Sequence, residues 1–128
     1  MKEKLKHKNI FEEKSFEFSL EIIKVFKHLK DKEREFVISK QLVRSGTAVG
    51  ALIREAQNAE SKADFIHKLG ISQKECAESL YWIDLLYYSD YIKQAEYGKL
   101  KGMAEELLRL IRSSILTSKS KAIKVQKS

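Results

Sequence analysis

At 128 residues, with 34% charged and 43% hydrophobic side chains, no proline and five glycines, the chain has the size of one domain and the composition of a helical one. Its single cysteine, Cys76, excludes an intramolecular disulfide and points to a reducing compartment. The formal charge of +7 sits at the ends: residues 1–8 contribute +3, residues 117–128 contribute +4, and the segment between them holds 17 basic and 17 acidic residues.

Basic ends of this kind attract polyanions such as RNA or DNA in a salt-dependent way, or simply aid solubility. Both readings stay open. The N-terminus MKEKLKHK lacks an apolar stretch behind its charges, and no run reaches the roughly 18 apolar residues of a membrane helix. A cytoplasmic protein without a membrane partner is expected.

In chain order, a basic arm over residues 1–11 leads into a helix over about 12–29, with Phe16, Leu20, Ile23, Phe26 or Lys27, and Leu29 or Lys30 along one seam. Phe18, Ile22 and Val25 widen that seam toward a second neighbour. Asp31 reads as the N-cap of a second helix over about 32–59, with Glu33 and Glu35 in its first turn.

The second helix divides into faces. Ile38, Leu42, Ser45, Val49, Leu52, Ile53 and Ala56 fall within an arc of about 100°. On another side Lys40, Arg44 and Arg54 lie within about 40° of one line, and every charge between Glu35 and Glu55 is positive. That stripe spans about 21 Å at 1.5 Å per residue, enough to meet several phosphates. An equally open reading is a solvated face neutralised by acids of a neighbouring helix. Gly46 and Gly50 share the flank of the apolar face and mark a close helix crossing, since each otherwise costs about 1 kcal/mol against alanine.

A third helix over 61–88 starts at Ser61, the N-cap, with Asp64 completing a capping-box pattern. Phe65, Leu69, Cys76, Leu80, Ile83 and Tyr87 form its stripe, and the position of Cys76 there makes it a packed thiol rather than a nucleophile. Tyr81, Trp82 and Leu85 occupy its other sides, so its last turns are apolar all round. Such a surface is either an oligomer interface or is covered by the arm or the last helix. Ser89 to Tyr91 form a turn, and a fourth helix over about 93–117 carries Tyr97, Leu100, Met103, Leu107, Leu110, Ile111 and Ser114. A basic disordered tail over 118–128 is expected to follow, adding Lys119, Lys121 and Lys124 to the candidate polyanion contacts. Four helices with short links predict an all-α, up-down-up-down antiparallel four-helix bundle over 12–117.

Catalytic and cofactor signatures are missing from the pattern. Asp64 and His67 form a lone Asp-x-x-His, His7 and His28 have no matching partner, and neither a phosphate loop nor zinc spacing occurs. No catalytic residue, metal or cofactor is therefore assigned. Asp84, beside the core stripe, is expected to pair with Arg44, Arg109 or Arg112, and Tyr87, Tyr88 and Tyr91 are available for packing or for stacking on bases.

The runs EKSFEFSL at 13–20, SKQLVRSGTAVGALIREA at 39–56, SKADFIHKL at 61–69 and YWIDLL at 81–86 resemble the bacterial four-helix-bundle proteins encoded by intervening sequences of 23S ribosomal RNA genes, and the related accessory variability proteins of diversity-generating retroelements. The resemblance implies a non-enzymatic bundle and a closed homo-oligomer, a ring of five. For the retroelement relatives it also implies a basic surface that meets nucleic acid and reverse transcriptase. Ala48 and Leu52 depart from the family's GTSIGAN, and the neutral body lacks the strongly basic surface of the retroelement branch. The expected function is a homo-oligomeric bundle that binds RNA or DNA through Lys40, Arg44, Arg54 and its basic ends. The alternative is a protein-interaction module or an accessory subunit, for example of a reverse transcriptase, with no direct nucleic-acid contact.

Overall fold

The computed structural model describes residues 2, 3 and 5–127, with side-chain surroundings through Lys121. Four helices follow in order: α1 Ile10–Asp31, α2 Ile38–Gln57, α3 Lys62–Tyr88 and α4 Gln94–Lys127. Each helix packs against its sequence neighbours and α1 also meets α4, whereas among the described residues the backbones of the diagonal pairs stay apart. This is the square cross-section of an up-down-up-down four-helix bundle.

Side-chain contacts fix the antiparallel registers. Ser45 meets Ser79 at 2.9 Å and Ser72 Oγ donates to the Val49 carbonyl at 2.9 Å, joining α2 to α3. Between α3 and α4, the Cys76 thiol donates to the Ala104 carbonyl at 3.2 Å and the Tyr97 hydroxyl to Asp84 at 2.8 Å. Lys14 with Glu106 at 2.7 Å and Lys99 with Glu21 at 3.2 Å join α1 to α4. Serines at such crossings are small enough for close backbone approach, and their hydroxyls find partners on the spot.

The glycine flank has the same purpose. A Cβ on Gly46 would lie 3.0 Å from Ile22 Cγ1, and one on Gly50 would lie 3.3 Å from the Ser15 carbonyl oxygen. α1 and α2 therefore cross closely there, as the spacing of the two glycines predicts.

The core consists of Phe18, Ile22, Val25 and Leu29 from α1, Leu42, Val49 and Ile53 from α2, Leu69, Cys76, Ile83 and Leu86 from α3, and Leu100, Ala104, Leu107 and Ile111 from α4. On α1 this shifts the expected seam: Phe16, Ile23 and Phe26 are half-buried and Leu20 is exposed. The residues read as a widening of the stripe are its centre, because α1 must face α2 and α4 together.

Helix ends differ from the sequence reading in three places. α1 starts earlier because the Asn9 side chain accepts the Glu12 N–H at 2.8 Å, forming an N-cap. Asp31 is the last residue of α1 rather than the cap of α2. The chain turns through Arg34, whose φ is 58°, and α2 begins at Ile38 under the buried Glu35 carboxylate. Glu35 accepts the N–H groups of Val37 and Ile38 at 3.0 Å each and of Ser39 at 2.7 Å. Those are the donors a helix start leaves without partners. Finally, α4 is helical through Lys127 rather than ending near Thr117. No glycine or proline follows Gly102 to break it. Ser61 caps α3 as read, accepting the Asp64 N–H at 3.1 Å.

Candidate interaction surfaces

The basic stripe of α2 is built as expected, but two of its three cations are already partnered. Arg44 Nη1 lies 3.0 Å from Glu75 Oε2, and its Nη2 donates to Glu78 Oε2. Arg54 Nε donates to Glu12 Oε1 at 3.2 Å, with the guanidinium 6.0 Å from the Phe16 ring centroid. Lys40 is exposed and has no acid within 4.0 Å among the described residues. The stripe thus presents one unneutralised charge, since α1 and α3 supply acids opposite both arginines.

At the far end of α3, Tyr81 is 57% exposed and meets Trp82 edge-on at 5.0 Å. Trp82 is held in place by its Nε1–H, which donates to Glu78 Oε2 at 2.9 Å. The Trp82 hydrogen bond, together with Arg44 and against the cost of burial, keeps the Glu78 carboxyl below its ordinary range. Leu85 is half-buried beside them. One turn on, Tyr87 stacks on Tyr97 of α4 at 4.1 Å, while Tyr88 is 76% exposed. α4 therefore covers Tyr87 and leaves Tyr81 open.

Asp84 does not meet an arginine. It accepts the Tyr97 hydroxyl at 2.8 Å and Lys101 Nζ at 3.2 Å, and Lys101 also donates to the Tyr97 hydroxyl at 2.8 Å. The reason is register: on α4, Tyr97 and Lys101 come level with Asp84, whereas Arg109 and Arg112 lie further along. Both partners hold the Lys101 ammonium well above its usual range.

The remaining reactive side chains have structural surroundings. Cys76 is fully buried, and burial pushes its thiol up to about 12 despite the opposing charge of Arg112. Histidine 7 packs against Phe16 at 5.1 Å, and His28 lies 3.7 Å from Glu33. Among the described residues no three His, Cys, Asp or Glu side chains gather as a metal site, and no helix is long and apolar enough to cross a membrane.

Of the tail candidates, Lys119 and Lys121 are exposed on the last turns of α4, and Lys124 lies outside the residues whose side chains are described. Two features escaped the sequence reading. Glu35 looked like a first-turn acid and is a buried cap. Glu12, where the first helix is expected to start, is 7% exposed, with Oε1 on Arg54 and Oε2 without a hydrogen-bond partner among the described residues. The Asn9-x-x-Glu12 spacing was a legible cap signal, whereas nothing local announced the burial of Glu12.

Residues 7–113 match the model of the 23S rRNA-intervening sequence protein family. A crystal structure from Bacteroides thetaiotaomicron VPI-5482, described as a protein of unknown function from the S23 ribosomal protein family, is 43% identical. It superposes with a TM-score of 0.82 over 83% of this chain and 98% of that one. A search of the curated proteins finds no match.

Proposed function

The chain belongs to the 23S rRNA-intervening sequence protein family, and from that premise we propose a non-enzymatic, cytoplasmic, homo-oligomeric bundle that works through its surface. The observation that carries this reading is the Tyr81–Trp82 pair. An exposed aromatic residue packed on a second ring that is itself hydrogen-bonded is a rigid anchor of the kind that dominates protein interfaces. Tyr81, Trp82 and Leu85 form the self-association surface, and the closed ring of five is the assembly that the family resemblance suggests.

The exposed lysines support a second reading. Lys40, Lys119 and Lys121 are exposed, and the charge excess of the whole chain lies at its ends. Contact with RNA or DNA would run through these residues, with Arg44 and Arg54 serving the bundle instead. A bundle that engages only a protein partner, such as a reverse transcriptase, is the alternative.

Light scattering on the full chain tests the first reading. The expected result is a multiple of the monomer mass at micromolar concentration, reduced to the monomer by Tyr81→Asp with the helical circular dichroism retained. A monomeric full chain would remove the reading.

A further inference from the structure

We infer that the groove between α1 and α2 receives the projecting end of α4 from a second copy of this chain. The inference rests on the self-association reading and names a contact for it that the aromatic pair does not supply.

The groove encloses about 810 Å³. Phe16, Ile23 and Ala51 give it an apolar wall, and Gly50 also lines it. Its charged lining is acidic in a basic protein: Glu12, Glu55, Glu60 and Asp64 against Arg54 and Lys68. Lys68 answers Glu55 at 3.7 Å and Arg54 answers Glu12, so Glu60 and Asp64 are left without a cation among the described residues. The Glu12 side chain lines the same groove, and its buried Oε2 has no partner among the described residues. A buried carboxylate oxygen in that state calls for an N–H donor.

The donor-bearing segment leaves the bundle at the same end. The Cys76–Ala104 and Asp84–Tyr97 contacts put the start of α3 level with about Ser118, and the Lys14–Glu106 pair puts the start of α1 level with about Leu110. α4, of 34 residues, continues past both. Among the residues whose side chains are described, its last buried one is Ile115, beyond which Leu116 is 67% exposed and Lys119 and Lys121 are exposed. An apolar side chain followed by lysines complements an apolar wall bordered by acids.

The same molecule cannot make the contact. Among the described residues none of α4 lines the groove, and α2, which forms one wall, is diagonal to α4 across the bundle. The contact is therefore between copies. Because tail and groove are different surfaces, it is heterologous, and such contacts repeat from subunit to subunit, closing a ring where the rotation between copies closes and extending a filament where it does not.

Two full-length variants decide the matter. One carries Leu116→Asp, Lys119→Glu and Lys121→Glu in the tail; the other carries Ala51→Trp, which fills the groove from an exposed helix position. Each alone should keep its helical circular dichroism and dissociate at a concentration at least tenfold above that of the parent chain. Mixed in equal amounts, below the concentration at which either assembles alone, they should form a two-chain complex and nothing larger, since one intact groove and one intact tail remain. A tail variant that keeps the parent's assembly, or a mixture that stays monomeric, overturns the inference while leaving self-association standing. A parent chain that is itself monomeric overturns both.

Discussion

Arg44 and Trp82 meet on a single atom. Glu78 Oε2 accepts from the Arg44 guanidinium and, at 2.9 Å, from the Trp82 indole N–H. A cation that looked available to phosphate is thereby spent on orienting an aromatic ring at the candidate interface. Its removal should be felt by the aromatic surface and not by a polyanion. Arg44→Ala is expected to change salt-sensitive RNA or duplex DNA binding less than twofold in fluorescence anisotropy and to alter Trp82 emission. A Lys119→Glu and Lys121→Glu double variant should weaken any such binding about tenfold at low salt. The reverse ranking would return the binding surface to α2.

The two kinds of helix glycine should respond in opposite directions to alanine. At Gly102 an added Cβ meets nothing within 4 Å, so Gly102→Ala should stabilise the fold by about 0.5–1 kcal/mol through helix propensity. At Gly46 the new Cβ would press on Ile22, itself fully buried, and overpacking there should cost about 1–3 kcal/mol. Urea unfolding of the two variants checks both signs.

Glu35 links the fold to pH. Burial raises its carboxyl, but the N–H groups of Ser39, Ile38 and Val37 outweigh it, and the folded-state value falls below the ordinary 4.5. A depressed acid stabilises the fold fully above its unfolded value, and this contribution disappears as the pH drops through the folded value. Stability should therefore be flat from neutral pH down to about 5 with respect to this group and fall below about 4.5. Glu35→Ala should cost about 1–3 kcal/mol at pH 7 and flatten that part of the acid limb, as followed by thermal unfolding.

Cys76 should be silent in the native protein. With its thiol pushed up to about 12 by burial and its proton donated to the Ala104 carbonyl, almost no thiolate forms at pH 8. Labelling by a thiol-reactive disulfide reagent is expected to run at least about a hundredfold slower than in denaturant. Rapid native labelling would show that α3 and α4 separate there.

The sequence by itself determined the all-α class, the four helices and their order, the apolar face of α2, the Ser61 cap and the close crossing at Gly46 and Gly50. Each follows from propensity or periodicity within one segment, where 3.6 residues per turn makes spacing equivalent to facing. Tertiary structure alone decided which charges were free. Arg44 meets Glu75 and Glu78, Arg54 meets Glu12, and Asp84 meets Tyr97 and Lys101 only because of the registers of the helix pairs. One turn of slip, about 5.4 Å, would give every one of them a different partner without changing any helix's own pattern. The same holds for the α1–α2 groove and for the end of α4 that passes it, whose relative placement is a property of the packed bundle.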